Sequence, residues 1–270
     1  MGGRGSASGI VGGGGGSGTP IFQMQQTPPN LAATQQQAQQ LNNRQFSATD
    51  SRPYHELKGG RNYFLSQNLT IDQQIATINY LSDQTEAGSL YSMSQNLNYA
   101  LATRGVGSLT ANQQYVYSQL MSSMHNLGEN LVLTRYDHSP FINNMLQQNG
   151  LRQSFENYSV AQLRQALVGQ TFGENKFLST SYNDFRNAPQ SSKDVFASRA
   201  VKITYRAAAS TQAMMPGNGP GGKLGEIVLA PSGGRQNMKI VDVKYTGSKA
   251  RVQGTQSYRL PQVEVVVEVS

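Results

Sequence analysis

The sequence predicts an α+β domain, on three observations. Capped helical periodicity precedes residue 128, strand-like patterning follows residue 172, and no glycine fingerprint joins a strand to a helix. Thr70 stands before IDQQIATINYL with Gln73 three residues on. That is the pattern of a capping box, in which each side chain satisfies a backbone N–H of the first turn. Ile71, Ile75, Ile78 and Leu81 recur at helical spacing and are expected to form its buried stripe. A second helix is expected over residues 89–102, followed by a turn at Gly105 and Gly107. Thr110, again with Gln113 three later, opens a third helix through NQQYVYSQLMSSMHNL, with Val116, Leu120, Met124 and Leu127 inward. The methionines and tyrosines of these helices read as core and flank.

The pattern changes after Gly128. Leu131, Val132 and Leu133 make a short apolar strand expected to end at Thr134-Arg135. A mixed helical region follows, with NNMLQQ and a clearer helix over residues 159–167. Beyond Phe172 come NKFLSTSY, RAVKITYRA, GEIVLAP, MKIVDVKYT and VEVVVEV, four or five strands with few long helices between them. This arrangement argues against a doubly wound nucleotide-binding fold. No GxGxxG follows a strand and no GxxxxGK[ST] occurs. The glycines of MPGNGPGGKLG lie between two strands, where a mobile loop beside a sheet remains available.

Composition bounds the function classes. Apolar residues make up 37% of the 270, and much of the deficit falls in the first fifty. That stretch is rich in glycine and then in glutamine, so residues 1–50 read as a disordered arm in which 31–46 can form a helix on a partner. Residues 51–128 read as a helical segment and 129–270 as the domain that carries chemistry. With no cysteine there is no disulfide, thiolate ligand or cysteine nucleophile. His55, His125 and His138 are too scattered to suggest zinc, so no metal is expected. The net charge of +7 attracts acidic protein surfaces, phosphates or nucleic acid. The basic clusters are only pairs and no RNA-binding signature is present, so direct nucleic-acid binding is not expected to be the main activity. No apolar run is long enough to cross a bilayer, and the glycine-rich start lacks the pattern of a secretory signal. A host cytoplasm or a virion is the expected location, the arm serving as an attachment to such an assembly.

Three elements carry candidate chemistry. Arg135, at the end of a buried strand, fits either a solvated strand-end cation or a bidentate clamp on a pyrophosphate. In Phe177-Leu178-Ser179-Thr180-Ser181, two apolar residues enter a run of three hydroxyls, with Ser179 and Ser181 on one face and Thr180 on the other. Glu226 opens an apolar strand after the glycine-rich loop. It fits an edge charge, or a carboxylate that hydrogen-bonds a ribose hydroxyl and stabilises an oxocarbenium-like centre.

The order of these elements, strand-Arg135, FLSTS, glycine-rich loop, then Glu226 on a strand, resembles the R-S-E class of mono-ADP-ribosyltransferases found among bacterial toxins and phage enzymes. The resemblance covers roughly residues 130–270. It implies a split mixed β-sheet preceded by packed helices, with NAD as co-substrate in the cleft between the halves of the sheet. By resemblance, Arg135 holds the NAD phosphates and Ser179 orients the glutamate and the nicotinamide ribose. Thr180 and Ser181 support the strand, Glu226 activates the ribose, and Tyr182 or Phe185 stacks near nicotinamide. Residues 211–224 are the loop that meets the target, and Gly233 and Gly234 occupy the turn after EIVLAP. The partner implied is an acceptor protein of a bacterial host, with an acidic surface suiting the basic chain. The motif departs from the family at Leu224, where Glu or Gln is usual two residues before the catalytic glutamate. That departure leaves three options: a different acceptor, a substitute residue, or hydrolysis of NAD. A non-catalytic assembly protein with an inherited fold is the non-enzyme alternative.

Overall fold

The structure, a computed structural model, describes residues 69–82, 85, 88–182, 184, 190–215, 225–232, 237–252 and 258–270. The N-terminal arm, Phe185, Leu224, Gly233 and Gly234 lie outside the described residues.

Helix α1, Ile71–Leu81, begins at the expected box: Gln73 N–H donates to Thr70 Oγ1 at 3.2 Å and Thr70 N–H to Gln73 Oε1 at 3.0 Å. The device recurs at Ser92 and Gln95 before α2 (Met93–Arg104), and at Thr110 and Gln113 before α3 (Ala111–Ser123). Four orphan N–H groups open every helix, and each box satisfies two of them without a charge.

The inward face of α1 differs from expectation. Ile71, Ile75 and Ile78 are exposed, at 75%, 44% and 46%, and of the expected stripe only Leu81 is buried. The buried face carries Ala76, Thr77, Tyr80 and Leu81. Its polar groups have partners: Tyr80 Oη accepts from Asn98 Nδ2 at 3.0 Å, and Thr77 Oγ1 donates to the Gln73 carbonyl at 2.8 Å. The Tyr80 ring meets Phe177 edge-on at 5.4 Å. A large aromatic with a bonded hydroxyl, flanked by two small side chains, seats the helix closely and turns the isoleucines outward.

Helix α3 stops at Ser123, short of the expected extent. Met124 is extended, and His125–Asn126 forms strand β1 at the sheet edge. Leu127 N–H bonds the Thr211 carbonyl at 3.0 Å and Gly128 N–H the Ala209 carbonyl at 2.8 Å. These sheet-edge bonds replace the next helical turn.

The remaining elements are β2 (Leu131–Asp137), α4 (Pro140–Gln148), α5 (Val160–Leu167), β3 (Thr171–Phe172), β4 (Leu178–Ser181) and α6 (Gln190–Ala197). After them come β5 (Val201–Ala207), β6 (Gln212–Met214), β7 (Glu226–Leu229), β8 (Met238–Val252) and β9 (Tyr258–Val269). The order across the sheet is β1-β6-β7-β4-β2-β5-β9-β8-β3. It is mixed, because β5 and β9 run parallel while the other pairs are antiparallel. It is also split. Strand β2 pairs with β5 along its whole length but meets β4 only at Thr134 and Ser181. One buried cluster runs from Tyr80 and Leu97 on the helices through Leu133 and Phe177 to Val265 and Val267 on β9. Among the described residues, no helix is long and apolar enough to cross a membrane.

Asn98 is the polar joint between helices and sheet, since its Oδ1 also accepts from the Phe177 N–H at 3.0 Å. Replacing it by alanine leaves a buried N–H and a buried phenol without these bonds. We expect Asn98→Ala to lower unfolding free energy by about 2–3 kcal/mol in urea denaturation. Ile75→Gln on the outward ridge is expected to change it by less than about 0.5 kcal/mol.

Candidate active site

The junction between β2 and β4 brings the three predicted elements together. Ser181 lies directly opposite Glu226 in the register, Thr180 opposite Ile227 and Ser179 opposite Val228. Alternation therefore puts Ser179, Ser181 and Glu226 on one face of the β4–β7 pair. Thr180 points the other way and donates to the Ile227 carbonyl at 2.7 Å, tying the strand to its neighbour. Glu226 is 3% exposed, and Gly225 before it takes φ +60, a left-handed conformation suited to glycine. The Gly225 carbonyl accepts the Tyr182 N–H at 3.0 Å, closing the ladder at the end of β4. Tyr182 is half-buried against the core.

Arg135 stands within β2, not at its end, since the strand continues to Asp137. The cause is β5, which pairs with β2 as far as Asp137 opposite Val201. The Arg135 side chain is 2% exposed and crosses the split: Nη1 donates to the Ser179 carbonyl at 3.0 Å, and Nε to Asp137 Oδ2 at 3.3 Å. Asp137, two residues on, shares its strand face. Burial works against the guanidinium charge, but the Asp137 carboxylate, with Tyr205 and Glu174 beyond it, holds the Arg135 pKa above its ordinary value. Burial likewise opposes the Asp137 charge. Arg135, Lys176 and the His138 backbone N–H overcome it and hold that pKa below the ordinary carboxylate range.

Helix α1 completes the site. Burial raises the Tyr80 phenol well above its ordinary pKa, while Asn98 and the Ser179 hydroxyl bond it and both Glu226 and Arg135 act on it electrostatically.

A second cluster extends the site past Arg135. Arg199, 9% exposed between α6 and β5, interacts with both Asp137 and Arg135, and burial with the Arg135 charge lowers its pKa. His138 is pushed down by burial and by Arg199. Lys176 bonds Glu174 at 3.5 Å and acts on Asp137. Two buried arginines thus lie with one buried aspartate, an excess of positive charge that suits an anion.

Sequence reasoning missed Tyr80, Asn98, Asp137 and Arg199. Asp137 carried a signal, a carboxylate at i+2 from Arg135 and so on its strand face. Asn98 also carried one, a carboxamide inside an otherwise apolar helical stripe. Tyr80 reads as core or flank, and Arg199 carries no local signal.

Comparison with solved structures gives the same fold. Plx2a, an ADP-ribosyltransferase toxin from Paenibacillus larvae, matches over 75% of this chain and 87% of its own, at 14% identity and a TM-score of 0.53. The Clostridium limosum C3 exoenzyme covers 78% and 91% at 16% identity and 0.51. C3stau2 from S. aureus, solved with NAD, covers 82% and 96% at 18% and 0.51. No protein-family model matches the sequence, and no curated protein matches it. The chain has the fold of the bacterial mono-ADP-ribosyltransferase toxins.

The Arg135–Asp137 pair generates a pH prediction. A carboxylate held below its unfolded pKa stabilises the fold above that value, about 3.9 for an aspartate, and the contribution is lost as pH falls through the lowered folded value. Asp137→Asn removes this contribution and leaves Arg135 buried without its counter-ion. It is expected to cost about 3 kcal/mol at neutral pH and to flatten the acid side of the stability curve. Urea denaturation of both proteins from about pH 7 to about pH 2 checks this. An unchanged acid slope in the variant contradicts the pairing.

Proposed function

We propose that this chain is an NAD-dependent mono-ADP-ribosyltransferase. The observation that carries the proposal is the junction of β2, β4 and β7, where Arg135 Nη1 bonds the Ser179 carbonyl at 3.0 Å and Glu226 lies opposite Ser181 on the face that also carries Ser179. The fold comparison gives the class of architecture, and the site supplies groups that suit the chemistry.

The residues present fit NAD. Arg135, oriented by the Ser179 carbonyl and by Asp137, with Arg199 close by, suits a pyrophosphate bearing two negative charges. Ser179 and Glu226, on one face and both buried, suit the hydroxyls of the nicotinamide ribose. In the reaction the bond from C1′ to the nicotinamide nitrogen breaks and nicotinamide leaves with the electron pair. The Glu226 carboxylate stabilises the cationic ribose that develops. An acceptor nucleophile then bonds C1′ from the opposite side and gives up its proton to solvent. Arg135 and Ser179 act by holding the donor so that C1′ faces the acceptor, which lowers the entropy cost of the step.

The acceptor is the open half of the proposal. Leu224 stands two residues before Glu226, and a leucine cannot attract or deprotonate an arginine guanidinium. This favours a different acceptor side chain on a bacterial host protein. Water is the second acceptor that Leu224 favours, which makes NAD glycohydrolysis the alternative reading.

The proposal is tested with labelled NAD, the purified protein and a bacterial lysate. Discrete lysate proteins are expected to take up label, and Glu226→Gln is expected to reduce labelling and nicotinamide release by about 10²–10³-fold. Nicotinamide release without labelled protein favours the glycohydrolase. If Glu226→Gln releases nicotinamide as fast as the wild type, the role of Glu226 is wrong.

A further inference from the structure

One feature that the active site does not absorb is an open cleft of about 440 Å³ beside α6. It is lined by Tyr136 of β2, Lys193 and Phe196 of α6, Asp184 after β4, Lys249 of β8 and Gln262 of β9. Tyr136 lies between Arg135 and Asp137 on the strand, so alternation turns it to the opposite face. The cleft therefore sits across β2 from the arginine pair.

Its charges are unequally matched. Asp184 is already engaged, accepting from the Tyr136 hydroxyl at 3.1 Å and from Lys202 Nζ at 3.1 Å. Among the described residues, neither Lys193 nor Lys249 makes an ion pair, and both are exposed. The backbone beside the cleft is irregular. Asp184 takes φ +53, a conformation that L side chains rarely adopt, and the β8–β9 ladder slips between Tyr245 and Lys249, with Gly247 at φ +81. Tyr136 and Phe196 stack on each other, with centroids 5.8 Å apart and planes at 22°, so no slot for a planar base separates them. The cleft offers apolar ring surface and two ammonium groups.

We propose that this cleft docks an acidic segment of a protein partner, with carboxylates on Lys193 and Lys249 and an apolar side chain against the Tyr136–Phe196 wall. The occupant follows from charge complementarity: two cations without ion pairs among the described residues, beside apolar surface, on a chain of net charge +7. The cleft also touches the active site from behind. Gln262 Nε2 donates to the Arg199 carbonyl at 3.2 Å, and the Arg199 side chain lies with Asp137 and Arg135. An occupant that shifts Gln262 or Tyr136 bears on the residues assigned to the pyrophosphate. This second step rests on the transferase reading, whereas docking does not.

The experiment is an NMR titration of the full chain with an octaglutamate peptide, run beside the Lys193→Glu/Lys249→Glu variant and beside ADP as competitor. Peptide-induced shifts are expected at Lys193, Lys249 and Tyr136. The variant is expected to weaken binding by about tenfold or more, and salt to weaken it in the wild type. Shifts spread over the whole basic surface and unchanged in the variant would overturn the proposal. Displacement of the peptide from these residues by ADP would also overturn it, in favour of a nucleotide site. NAD affinity measured with and without peptide reads the coupling separately. Localised peptide binding in a chain that binds no NAD sinks the transferase reading and leaves docking intact.

Discussion

Arg135 is a buried cation at the place where the sheet comes apart, and the rest of the site is arranged around the need to satisfy it. A guanidinium taken out of water is costly unless charge and hydrogen bonds replace its hydration. Asp137 supplies the charge from the same strand face, and the Ser179 carbonyl supplies an acceptor from across the split. That carbonyl is within reach only because β2 and β4 pair at a single position, Thr134 with Ser181, and then separate. The divergence of the two strands and the placement of the arginine are thus one feature. A fully paired β2–β4 ladder would bring the strands together where the arginine now crosses.

The helical segment is bound to the same point. Tyr80 and Asn98 lie in the middle of the hydrogen-bond path from α1 through α2 to Phe177, at the start of the serine strand. The Ser179 hydroxyl also bonds the phenol. The helices therefore form one wall of the site, and the orientation of α1 follows from that duty. Three isoleucines are left outside so that one tyrosine points inward.

Much of this was legible in the sequence. Capping boxes are local, and Thr70, Thr110 and Ser159 begin their helices where the sequence places them. The hydroxyl run and the glutamate strand were also read correctly as strands. Burial of α1 was misread because hydrophobic periodicity weighs isoleucine above tyrosine and threonine. A tyrosine with a hydrogen-bond partner packs as well as an aliphatic residue, but the partner, Asn98, comes from another helix. The extension of β2 past Arg135 depends on pairing with β5, a contact between distant segments. The two-residue strands β1 and β3 are too short to carry a period at all. Arg199 reaches the site through the packing of α6 and the Gln262 contact, neither of which leaves a local mark.

Arg135 at the split is proposed as the anchor for NAD, and calorimetric titration of NAD into the full chain measures that role. Saturable binding to one site is expected, retained in Glu226→Gln and weakened about tenfold or more in Arg135→Lys, where a point charge replaces the planar fork. Arg135→Lys binding NAD as tightly as the wild type, or a wild-type chain that binds none, would contradict it.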